Sequence, residues 1–180
     1  MSAQKSEFRK RLQAEVPKWI KALEDHKGDR AKLRRAQREA DVYAVEMAHR
    51  LVEALRPEPK RTDAAFFLAA LLSHVREEVP EALIDRLLKD TEDGKPEKSA
   101  LKPQRFGQLL HADLLPDRLR LFRRALQMVD GKLDAADLAE LFLTWPDNST
   151  KRDFARRYFA YRSPHDNGDD TPAAVPSTSA

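Results

Sequence analysis

Between Leu115 and Gly131 the chain reads LPDRLRLFRRALQMVDG, and its apolar positions recur with the period of a helix. At about 100° per residue, Leu119, Phe122, Leu126 and Val129 fall within one arc of roughly 80°, flanked by Leu121 and Ala125. Pro116 suits the first helical position, where a missing N–H costs nothing, and Gly131 suits the position just past the end. The same projection turns Arg120, Arg123 and Arg124 to the outer side. Arg118 falls at the apolar edge, where it can bury its stem and keep its head in water.

The other segments repeat this division into faces. Phe8, Leu12, Val16, Trp19 and Leu23 step by helical intervals, and Pro17 among them predicts a kink or a fresh start. Gly28 suits the end of that helix and Asp29 the N-cap of the next. In that next helix Arg30 and Arg34 share a face, Arg35 and Arg38 lie beside them, and Leu33 and Ala36 are the apolar anchors. Tyr43, Met47, Leu51 and Leu55 form a stripe across 41–56. A loop at 57–61 follows, then a helix capped by Thr62 or Asp63. From Ala64 to Leu72 that helix is apolar nearly all round, which predicts a central buried position.

Residues 80–89 allow a short helix, and the polar TEDGKPEKSALKP after it reads as a mobile connection. Around QRFGQLLHAD, Phe106, Leu109 and Leu110 face inward and Arg105 outward. Asp134 caps a helix that buries Leu138, Leu141, Phe142 and Trp145 and stops at Pro146. Ser149 or Thr150 caps the last helix, with Phe154, Tyr158 and Tyr161 on one arc, Arg152 and Arg156 on the far side, and Lys151 near its start. From Ser163 the apolar periodicity ends, which predicts a disordered tail.

The expected fold is therefore all-α, with about seven to nine helices in two small bundles. These would occupy 1–90 and 101–162, joined by a flexible connection at 91–100 and followed by the tail at 163–180. Composition agrees: only 5 glycines occur in 180 residues, and Ala, Leu, Arg and Glu dominate. No cysteine is present, so disulfides and thiolate chemistry are excluded. No apolar run approaches the roughly 20 residues of a membrane span, and the polar N-terminus has no apolar signal core, so the cytoplasm is the expected compartment.

The net charge of +3 conceals a pattern. Residues 1–61 carry 16 basic and 10 acidic side chains, a net of +6; residues 62–100 carry 5 and 9, a net of −4. Residues 101–162 carry 12 and 8, a net of +4, and the tail has three Asp with no Lys or Arg. Two basic regions flank an acidic one, which bears on partners rather than on fold.

No motif for catalysis accompanies this charge. The five histidines are scattered, and neither a glycine-rich phosphate loop nor a nucleophile elbow occurs. DGKLDAADLAEL faintly resembles half of a calcium loop, but Leu126 and Met128 stand where oxygen ligands are required. Neither an enzyme nor a metal or cofactor is expected. What remains are arginine faces at Arg30, Arg34 and Arg35, at Arg120, Arg123 and Arg124, and at Arg152 and Arg156. Converging, they would bind phosphate through the planar guanidinium fork and read backbone rather than bases. Dispersed, they would be a solvated exterior, and a protein–protein scaffold or a stand-alone helical DNA-binding regulator would be the alternatives.

The order and spacing of Trp19, GDRAKLRR (28–35), RFGQLLHAD (105–113), LRLFRRAL (119–126), LDAADLAELFLTW (133–145) and KRDFARRYF (151–159) resemble the CasB family. CasB is the small subunit of the type I-E CRISPR Cascade effector, and the resemblance spans about 16–162. It implies a non-catalytic, two-bundle protein working as a head-to-tail homodimer. Its partners would be other Cascade subunits, the crRNA, and the target and non-target DNA strands, with no membrane role. By position, the family's basic surface falls on Arg105, Arg123, Arg124, Lys151 and Arg152, while Arg30, Arg34 and Arg35 face either nucleic acid or a neighbouring subunit. His111 stands where a basic side chain is expected.

Overall fold

The apolar stretch TDAAFFLAALL forms a helix buried on nearly every side, with five other helices packed over it. The computed structural model describes residues 2–89 and 100–162. In chain order its helices are α1 (Ser2–Asp25), α2 (Lys27–Arg35), α3 (Glu39–Tyr43), α4 (Glu46–Leu55) and α5 (Thr62–Leu72). There follow α6 (Leu83–Leu88), α7 (Pro103–Leu110), α8 (Leu115–Met128), α9 (Ala135–Thr144) and α10 (Asn148–Arg162). A 3-10 turn at Pro59–Arg61 precedes α5. No helix among the described residues is long and apolar enough to cross a membrane.

A helix without a polar face is stable only when covered all round. α2, α3, α4, α8 and α9 supply that cover for α5. From Ala64 to Leu72 only Phe66 is not fully buried. The covering helices come from both halves of the chain, and α1 likewise packs on both α4 and α9. The buried side chains form one continuous cluster from Leu12 to Tyr158, so the packing draws no line between the two expected bundles. Helical periodicity tells which face is buried but not which helix will cover it. The expected tail at 163–180 lies outside the described residues, as does all of the expected connection except Ala100.

Several local expectations are corrected. α1 continues through Pro17 as one helix. Leu12 and Val16 before the proline and Trp19 and Leu23 after it are all buried, and the Trp19 indole donates to the Met47 carbonyl at 2.7 Å. Packing on both sides outweighs a proline cost of about 3 kcal/mol. Gly28 falls within the first turn of α2 instead of closing α1, and Asp29, also inside α2, bonds the Met47 N–H in place of capping. The stripe at 41–56 breaks at Val45, an extended N-cap, into α3 and α4. Thr62 and Asp63 open α5 from inside it, and Ser149 and Thr150 lie within α10. Asp134 does cap α9, accepting from the Asp137 N–H at 2.9 Å.

A two-residue parallel pairing was not foreseen. Glu77–Glu78 (β1) lies beside Lys132–Leu133 (β2), in register Glu77 to Lys132, and those two side chains form an ion pair at 2.8 Å. Gly131 makes this approach possible. Its φ is +69°, a Cβ there would stand 2.7 Å from the His74 carbonyl, and its own carbonyl accepts from the Arg76 N–H at 2.9 Å.

Candidate nucleic-acid interface

The last carbonyls of a helix have no partner within it and carry the negative end of its dipole, so they attract cations. Three arginines of this chain answer that demand. At the end of α5, Arg30 donates through Nε to the Ser73 carbonyl at 3.3 Å and through Nη2 to that of Val75 at 2.8 Å. Arg34 adds a bond from Nε to Ser73 at 3.0 Å. At the end of α2, Arg123 of α8 donates to the carbonyls of Ala36 at 2.7 Å and Leu33 at 2.9 Å.

Arg123 therefore does not project into solvent from the outer face of α8. It is half-buried, and burial lowers its pKa. Arg118 departs further from expectation. Its head is buried too, donating to the carbonyls of Ala112 at 3.4 Å and Asp113 at 2.7 Å, with its guanidinium carbon 5.7 Å from the centre of the Phe142 ring. The rim of an apolar arc becomes interior once the segment before α8 folds over it.

His74 lies among these arginines. Burial first, then the charges of Arg123 and Arg34, bring its pKa down to about 4, so the ring is neutral near pH 7. It adds shape to the surface without charge.

Beyond these anchors the arginines form a track. Lys27, Arg30, Arg34 and Arg35 line a shallow surface along α2, with Glu24 at its rim. Arg34 also borders a neighbouring cleft of about 410 Å³, which Arg76, Gln127 and Asp130 line with it. Gln127 in turn lines a cleft of about 370 Å³ between α7 and α8, together with Arg105, Gln108 and Arg124. The shared residues Arg34 and Gln127 make the three hollows contiguous. Burial and the like charges of Arg30 and Arg76 lower the Arg34 pKa, which reflects how closely the cations are grouped.

The fold thus brings Arg30, Arg34, Arg35, Arg105 and Arg124 to one continuous surface, although their segments lie far apart in sequence. Among the described residues, Arg34, Arg35, Arg76, Arg105 and Arg124 have no carboxylate partner. Nothing in the sequence marks Arg76, which stands at the head of REEVPE in the acidic segment. Its position beside Gly131 at the start of β1 is what turns it to the track.

The other candidates lie elsewhere. Arg120 pairs with Asp117 at 3.0 Å, and Lys151 pairs with Asp113, whose carboxyl it holds below the usual range. Arg156 makes a loose pair with Asp153 at 3.9 Å, while Arg152 is exposed with no ion-pair partner among the described residues. None of these four lines the three hollows. Among the described residues no group of three or more His, Asp or Glu side chains is placed to share a metal ion.

Neither the curated proteins nor the solved structures contain a significant match to the chain. A family model described as CRISPR-associated protein Cse2 matches residues 29–159. That span runs from α2 into α10 and contains every arginine of the track. The match covers most of the sequence, and the chain belongs to the Cse2 family, the small subunit of type I-E Cascade that is also called CasB.

Proposed function

We propose that this Cascade small subunit binds nucleic-acid backbone along the arginine track and has no catalytic activity of its own. In this role it supports the crRNA–target heteroduplex and steadies the displaced strand, two copies acting together against the other subunits. Base pairing reads the sequence in such complexes, and protein positions the backbone. A surface of guanidinium groups suits that division of labour, because it recognises phosphate and is indifferent to base identity.

The observation that carries this reading is the grouping of Arg34, Arg76, Arg124 and Arg105 along adjoining clefts, none of them in an ion pair among the described residues. Purified protein is mixed with crRNA-loaded type I-E Cascade lacking its small subunit, and size exclusion is run with and without target DNA. Expected is co-elution in more than one copy, with a gain in DNA retention that salt weakens. Co-elution without that gain would make the chain a scaffold. DNA binding by the free chain with no co-elution would make it a stand-alone regulator.

A further inference from the structure

Phe159 is 58% exposed. Its ring stands edge-to-face with Phe106 at 5.6 Å between centroids and with Tyr158 at 5.4 Å. Those two rings are stacked on each other at 3.8 Å, with Phe154 next in line at 6.1 Å from Phe106. Phe159 is therefore held in place by an aromatic wall while most of its own surface meets water.

Its neighbours on the helix are cationic. Arg152, Arg156 and Phe159 are spaced at i, i+4 and i+7, so at 100° per residue they share an arc of about 60° on the outer face of α10. They extend over about 10 Å of helix axis. All three are exposed. Asp153, whose carboxylate meets Arg156 at 3.9 Å, lies outside this arc.

We infer that Phe159 is a stacking platform for an unpaired base of single-stranded nucleic acid, with Arg152 and Arg156 holding the adjoining phosphates. The inference rests on the reading of this chain as a nucleic-acid-binding subunit and assigns a second contact, distinct from the arginine track. An aromatic face beside cations is the usual means of gripping a single strand without reading its sequence, since every base offers a π-face. A duplex, whose bases are already stacked on each other, has no face to offer Phe159. This contact accordingly selects the displaced strand over paired segments.

The test uses the full-length chain at low salt with two fluorescent probes, oligodeoxythymidine and an abasic oligomer with the same number of phosphates. The variants are F159A, F159W and R152A/R156A, with circular dichroism to confirm that each is folded. F159A is expected to weaken binding of oligodeoxythymidine about 5- to 150-fold, the range of one stacked base, and to leave the abasic oligomer within about twofold. F159W is expected to retain affinity and to show quenching of its fluorescence on binding. R152A/R156A is expected to weaken both probes. Equal affinity of F159A and the parent chain for oligodeoxythymidine would overturn the inference while leaving the arginine track untouched. Failure of the parent chain to bind either probe would overturn it too, and the track is then judged separately by the reconstitution described above.

Discussion

Arg123 and Ala36 stand 87 positions apart in sequence, and Nη1 of the arginine donates to the alanine carbonyl at 2.7 Å. Ala36 is the C-cap of α2, so one side chain of α8 completes the end of a helix from the other half of the chain. With Arg30 and Arg34 on the end of α5, it ties α2, α5 and α8 together. The Arg-Arg pair in α8 is thereby divided: Arg123 holds the fold and Arg124 faces the cleft.

Arg123→Ala is accordingly expected to lower the unfolding free energy by about 2–3 kcal/mol, because two charge-assisted bonds vanish and the Ala36 carbonyl loses its partner, while that of Leu33 keeps the Ala36 N–H. Arg124→Ala is expected to change it by no more than about 0.5 kcal/mol, as exposed substitutions usually do. Urea titration of both variants measures the difference.

Gly131→Ala is expected to destabilise by about 3 kcal/mol, combining the left-handed backbone cost with a contact that no rotamer can relieve. The obstructing atom is the main-chain oxygen of His74 at 2.7 Å. The substitution would force β2 away from β1, and thermal unfolding followed by circular dichroism would show a lowered Tm. A Tm unchanged from the parent would refute this account of the turn.

His74 predicts a pH dependence. Its folded pKa of about 4 lies below the ordinary 6.5, so between these values the unfolded chain binds the extra proton. Stability contributed by the neutral ring is full above about pH 6.5 and is lost as pH falls towards 4. The stability difference between pH 7.5 and pH 5 is expected to shrink in His74→Gln. Guanidinium titrations at the two pH values compare the variant with the parent.

The double variant R105A/R124A removes two cations from one cleft. Each phosphate contact contributes about 0.9 to the slope of log affinity against log salt, so the slope is expected to fall by about 2 for each copy of the subunit in the reconstituted complex. Affinity should drop uniformly across target sequences. A loss confined to particular sequences would indicate base reading instead.

Much of the fold was legible from apolar spacing. The buried arc of α8, the enclosed α5 and the Asp134 cap of α9 all follow from patterns within a few residues. The fates of individual arginines were less legible. Periodicity gives a direction around a helix axis, but Arg123 and Arg118 point towards chain segments that the helix itself does not specify. Arg76 was hidden for the opposite reason: its neighbours in sequence are acidic, and only the pairing of β1 with β2 sets it beside the track. Pro17 illustrates a third limit, since a strong local preference gave way to buried side chains on both sides of it.

The acceptors of Arg30, Arg34 and Arg123 are all main-chain carbonyls. A carbonyl oxygen satisfies an N–H donor but does not cancel its charge, whereas a carboxylate does both. These three side chains consequently remain full cations fixed in position, and their field reaches the same side of the molecule that the exposed arginines occupy. Part of the positive charge is thus carried by side chains that also close helix ends, so replacing Arg30 or Arg123 disturbs the packing along with the charge.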